Sequence, residues 1–203
     1  MGEEIPTFVT RYHFADKPPF LNLSDLDEAE LAPVMQDLER RRASSGLKRV
    51  FGARYMQLRR LTEGRLYELF LQAGGMPERK APHYLVLGSS EWYRGLAADT
   101  CEVVLPLADL PTEVTSFTYP DSFTAMAFGP QFGLPLQPRP YHERVFRLAQ
   151  LKDVIAEYGL PADGTEDRYE GYAHRAFEKY IEVQVWSDKP IRSFLVSRGH
   201  RSA

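Results

Sequence analysis

Phe177-Glu178-Lys179-Tyr180-Ile181-Glu182-Val183-Gln184-Val185-Trp186-Ser187-Asp188 is the stretch whose reading decides the fold. From Tyr180 to Trp186 the residues alternate as in a strand. Tyr180, Glu182, Gln184 and Trp186 lie on one face, and Ile181, Val183 and Val185 on the other. The Ile/Val face demands a core. The opposite face sets a carboxylate and a carboxamide between two aromatic rings, and a strand carrying an inward carboxylate is a rigid mount for a catalytic acid. The alternative is an amphipathic edge strand with a solvated glutamate.

Outward from that strand, helices and strands are interspersed along the chain. Phe8 to Phe14 reads as a short strand ending in Tyr12-His13-Phe14 before a loop at Pro18-Pro19. Ser24 or Asp27 can cap a helix carrying Leu31, Val34, Met35 and Leu38 at helical spacing and closing on Arg40-Arg41-Arg42. A second helix runs from Arg54 to Ala73 and stops at Gly74-Gly75; its Arg54, Arg59, Arg60 and Arg65 read as solvated or paired with Glu63 and Glu68 at helical spacing, while one facing a pocket could bind a diphosphate. Strands are expected at 83–88, 102–107 and 113–119, with a loop at 89–93 and a helix at 147–158 closed by Gly159. The long Pro-, Gly- and aromatic-rich segment 119–141 reads either as a binding loop or as a wrap over one sheet. Trp92 and Trp186 read as packing residues. The chain is expected to be a single domain over 1–203 with loose tails at about 1–5 and 197–203.

Composition narrows the function. Hydrophobic residues at 43% and charged residues at 26% are ordinary for a folded soluble protein. The net charge of -3 argues against bulk electrostatic capture of nucleic acid, though a local basic patch remains open. Cys101 is the single cysteine, so no intrachain disulfide forms and no cysteine cluster exists for zinc; a cytoplasmic protein is expected. No signal-peptide pattern and no apolar run of membrane-spanning length is present, so no membrane association is expected. The five histidines, His13, His83, His142, His174 and His200, are scattered, and no metal is expected. Phosphate-loop, dinucleotide-fingerprint, nucleophile-elbow and His-Glu-x-x-His motifs are all missing.

What remains is a strand acid, an early Tyr-His-Phe strand, an Arg-bearing helix and an aromatic loop. In that order the parts resemble the ADP-ribosyltransferase superfamily of the diphtheria-toxin-like fold, and most of all the DarT-type nucleic-acid-modifying enzymes and their bacterial relatives. The match runs through Tyr12-His13-Phe14-Ala15-Asp16 with Pro18-Pro19-Phe20-Leu21, then Ser116-Phe117-Thr118-Tyr119-Pro120-Asp121-Ser122, then Ile181-Glu182-Val183-Gln184-Val185 with Asp188-Lys189-Pro190-Ile191. The resemblance implies an α+β fold with a split central mixed or antiparallel β-sheet and flanking helices. It also implies an NAD-dependent transferase that consumes NAD as substrate and modifies a nucleic acid or protein acceptor.

Under that resemblance Glu182 is the catalytic acid, stabilising an oxocarbenium-like transition state, and Gln184 positions the nucleophile or the ribose. His13 and Tyr12 bind the NAD, Arg54 takes its diphosphate with Arg59 or Arg60 as fallback, and Tyr12, Tyr84, Tyr119 and Tyr180 offer stacking faces for the nicotinamide or an acceptor base. Two other readings stand beside it: a non-catalytic nucleotide- or partner-binding module on a similar fold, and an enzyme of other nucleotide or nucleic-acid chemistry using Glu182 as general acid or base.

Overall fold

The computed structural model describes residues 4–44, 54–128, 130, 138–161 and 179–198. Six strands form one antiparallel sheet: β1 (Phe8–Phe14), β2 (His83–Leu87), β3 (Thr100–Pro106), β4 (Thr115–Thr118), β5 (Phe146–Arg147) and β6 (Glu182–Val185). Their spatial order is β3-β1-β2-β6-β4-β5, and every neighbouring pair is antiparallel. The helices are α1 (Glu28–Ser44), α2 (Tyr55–Gln72), α3 (Glu91–Arg94), α4 (Ser122–Ala125), α5 (Leu151–Tyr158) and α6 (Lys189–Ser197). This is an α+β architecture. The sheet is continuous through β6 rather than split, because β6 pairs along its whole length with β2 on one side and β4 on the other.

The last strand in sequence is therefore a central strand in space, covered on both faces, and the reading of a solvated edge glutamate does not hold. Val183 and Val185 join Leu85, Phe117 and Phe146 in the main core, beneath Leu151, Val154 and Ile155 of α5 and Ile191 of α6. On the opposite face Trp186 packs with Leu66 and Phe70 of α2, and Tyr180 with Val86 and Trp92. Alternation along the strand sends its aliphatic residues to one layer of helices and its polar and aromatic residues to the other.

Local chemistry sets several boundaries. Asp27 caps α1 by accepting from the Glu30 N–H at 2.8 Å while Glu30 accepts in return from the Asp27 N–H at 3.1 Å. Gly74, with φ +81, takes the left-handed turn that ends α2. The 89–93 segment is partly helical: the Ser90 hydroxyl accepts from the Tyr93 N–H and starts α3. The helix expected at 147–158 begins only at Leu151, because Phe146 and Arg147 pair with β4 as an edge strand and the Phe146 ring stacks on Phe117 at 5.3 Å. Of the tail expected at about 197–203, Ser197 ends α6 and residues 199–203 lie outside the described residues; Pro190 of α6 sits in the first turn, where its missing N–H costs no helical bond. Among the described residues no helix is long and apolar enough to cross a membrane.

Candidate functional site

Register builds the site. Glu182 lies opposite Val86 of β2 and Thr118 of β4, and Gln184 lies opposite Tyr84 and Ser116. All six therefore share the face beneath α2 and α4, giving two adjacent rows, Val86-Glu182-Thr118 and Tyr84-Gln184-Ser116. Glu182 is 7% exposed and Gln184 wholly buried. Just after β4, Asp121 caps α4 by accepting from the Phe123 and Thr124 N–H groups, both at 3.0 Å, and from the Thr124 hydroxyl at 2.6 Å. The Ser122 N–H donates to Glu182 Oε1 at 3.3 Å, which draws the two carboxyl groups to the same helix start.

Electrostatics at this acid pair are unusual. Burial pushes the Glu182 carboxyl up to about 7, and the neighbouring Asp121 charge pushes in the same direction, against the hydrogen bonds from Ser122 and Gln184. Burial also raises Asp121, opposed by its bonds to the start of α4. Neither acid has an ion-pair partner among the described residues; each is held by neutral donors. Glu182 therefore stands near half-ionised at neutral pH, where a nearby cation favours its charged form. Asp121→Asn keeps an oxygen for the cap and removes the like charge. The Glu182 titration midpoint, followed by carbon NMR of the side-chain carboxyl, is expected to fall from about 7 while staying above the ordinary 4.5.

Gln184 is fully engaged. Its Oε1 accepts from the Ser116 hydroxyl at 3.0 Å, and its Nε2 donates to Thr118 Oγ1 at 3.0 Å, the Glu182 carbonyl at 3.2 Å and Glu182 Oε1 at 3.4 Å. It holds the acid rather than offering a free amide to a nucleophile.

A second polar group roofs the site. Arg59 of α2 donates to Glu63 Oε1 at 3.0 Å, Ser24 Oγ at 2.9 Å, Asn22 Oδ1 at 2.8 Å and Tyr55 Oη at 3.1 Å, and its guanidinium stands 4.8 Å over the Tyr84 ring. The Tyr84 hydroxyl donates to Glu63 at 3.2 Å. Burial raises the Glu63 carboxyl despite Arg59, and it raises the Tyr84 phenol well above 10, with Glu63 pushing the same way. Glu182 adds to that upward push, which places the phenol within reach of both acids' fields.

The remaining sequence-derived residues divide between the two faces. Tyr12 shares the Glu182 face; its ring stacks on Tyr93 at 5.1 Å and its hydroxyl accepts from the Ser90 N–H at 2.6 Å. His13 is the next residue of β1 and points to the opposite face, its Nδ1 2.8 Å from the Phe14 carbonyl oxygen. Tyr119, which follows Thr118, also points away. Its hydroxyl donates to the Tyr158 carbonyl at 3.1 Å, and its ring packs against Tyr141 and Tyr158. Arg54 sits exposed at the start of α2, 3.4 Å from Gln57 Oε1, and Arg59 is committed to its own network. The structure thus gathers Glu182, Gln184 and Tyr12 on one face and leaves His13 and Tyr119 on the other.

Asp121, Tyr84, Ser116 and Thr118 are the site residues that the sequence reading did not assign as partners of Glu182. Thr118 and Asp121 lie in the segment quoted for the family resemblance, and their relation to Glu182 required the β4–β6 register. Of the scattered histidines, His174 and His200 lie outside the described residues; among those described, no group of three His, Cys, Asp or Glu side chains is placed to hold a metal. Comparison with protein-family models, with curated proteins and with solved structures finds no match.

Proposed function

We propose that this α+β protein is an NAD-dependent ADP-ribosyltransferase with Glu182 as its catalytic carboxylate. The observation that carries the reading is a buried acid pair, Glu182 and Asp121, held by neutral donors with no base beside it among the described residues. Such a site favours a reaction that builds positive charge in front of it. Cleavage of the nicotinamide glycosidic bond does so at the ribose C1′. The electron pair of the C1′–N bond leaves with nicotinamide, turning the cationic ring neutral; an acceptor oxygen or nitrogen then gives its pair to C1′ and releases a proton.

NAD enters as a substrate, and the residues present fit it in part. In this reading Glu182 acts on the ribose, Tyr84 and Tyr12 share its face of the sheet, and Arg54 at the exposed start of α2 takes the diphosphate. His13 and Tyr119 lie on the far side of the sheet from Glu182. The acceptor is a protein or a nucleic acid. The test is titration of NAD into the purified protein by calorimetry with an assay of nicotinamide release. Saturable binding with release that rises with enzyme concentration supports the reading; no heat and no nicotinamide overturns it.

A non-catalytic binding module is the second reading. It is favoured by the internal satisfaction of Gln184, whose amide oxygen and nitrogen are both partnered within the fold. It predicts a saturable ligand without turnover.

A further inference from the structure

We infer that Ser116 and Trp186 are positioning residues for Glu182, setting through Gln184 which end of a carboxamide faces the acid. The argument lies in the direction of a hydrogen-bond chain. An indole N–H can only donate, so the Ser116 hydroxyl oxygen must accept from Trp186 Nε1, at 2.8 Å. The single Ser116 proton is then directed to Gln184 Oε1 at 3.0 Å. At the other end Thr118 gives its own proton to the Pro120 carbonyl at 3.2 Å and can only accept from Gln184 Nε2.

At both ends this amide orientation leaves every hydroxyl proton with an acceptor, Ser116 giving its proton to Oε1 and Thr118 keeping its own on Pro120. The Gln184 Nε2, not Oε1, therefore meets Glu182, at 3.2 Å from its carbonyl oxygen and 3.4 Å from Oε1. Turning the amide over would set Gln184 Oε1 against two acceptors, the Glu182 carbonyl oxygen and Oε1, press a lone pair on the ionised acid, and leave the Ser116 proton without its acceptor. The anchor is rigid. Trp186 is wholly buried, with its ring centroid 5.9 Å from that of Phe70 and 5.8 Å from that of Tyr67. The device needs only alternate residues of two paired segments, 182 and 184 on β6 with 186 just beyond its end, and 116 and 118 on β4.

Its catalytic meaning rests on the transferase reading, whereas its physical content does not. In the unaltered protein labelled with isotopic glutamine and glutamate, the Gln184 side-chain protons are expected to titrate with the same midpoint as the Glu182 carboxyl, which is identified by its loss in Glu182→Gln. Trp186→Phe retains an aromatic ring and removes the donor that orients the Ser116 hydroxyl toward Gln184; Ser116→Ala breaks the chain outright. Each is expected to raise the Glu182 midpoint by about half to one pH unit, and Ser116→Thr to restore it. The inference is overturned if the Gln184 protons in the unaltered protein ignore the Glu182 titration, or if a folded Trp186→Phe or Ser116→Ala protein keeps the original midpoint. Should NAD not be cleaved while the midpoints move, the transferase reading falls and the positioning role stands; cleavage with unmoved midpoints gives the reverse.

Discussion

Glu182→Gln is expected to raise the thermal unfolding midpoint at pH 8 and leave it nearly unchanged at pH 4. The folded protein holds the Glu182 proton up to about 7, against 4.5 for the free side chain. A group whose folded value is raised contributes stability that is complete below the unfolded value and is lost as pH rises through the folded one. Ionising Glu182 thus costs folding stability progressively between about pH 4.5 and 7, by about 3 kcal/mol once both states are charged. Glutamine never ionises and keeps an oxygen for the Ser122 N–H. For a chain of this size the relief corresponds to roughly 6–12 °C at pH 8. Under the proposed function the same substitution removes nicotinamide release, by about 10²-fold or more, while calorimetric NAD binding persists. Stability gained where activity is lost is the signature of an acid kept for chemistry. An unfolding midpoint that is the same for both proteins at pH 8 would show that the buried acid carries no such cost.

Arg59→Met carries the largest expected loss of stability. Its guanidinium is the only basic group bonded to the buried Glu63 among the described residues, and it also binds Asn22, Ser24 and Tyr55 and covers the Tyr84 ring. Removing it leaves Glu63, only 4% exposed, without its charge partner. Breaking one partner of a buried pair costs about 3–5 kcal/mol, far more than replacing both partners by apolar groups. Chemical denaturation should therefore show Arg59→Met strongly destabilised and the double substitution Arg59→Met with Glu63→Leu substantially recovered. Arg59→Lys is expected to recover little, because one ammonium cannot span the fork of acceptors that Arg59 reaches. Additive losses in the double variant would mean that the two side chains act separately.

The positions of α1, α2 and the body of α5, and the strand faces, were legible from local pattern, whereas α3, α4 and α6 were not. The Asp27 capping box, the Gly74 stop and the alternation of residues 180–186 all act within a few residues, and the structure follows them closely. The Arg59–Glu63 pair was legible for the same reason, since helical spacing alone brings the two together. Alternation also carried a warning about Tyr12 and His13: adjacent strand residues face opposite sides, so both cannot line one pocket. Local pattern failed at Arg147, where pairing with β4 overrode helical spacing, and over Leu148–Gln150, which form a 3-10 turn before α5.

The sequence by itself determined that Glu182 and Gln184 share a strand face opposite an aliphatic one, because side-chain alternation has a period of two and needs no partner. Only the tertiary structure decided that this strand is central, that Asp121 and Ser122 meet Glu182, and that Tyr119 turns away from it. Those facts depend on the register of β6 against β2 and β4, and a register is set by contacts between segments some 60 to 100 residues apart, where a slip of one residue exchanges the faces.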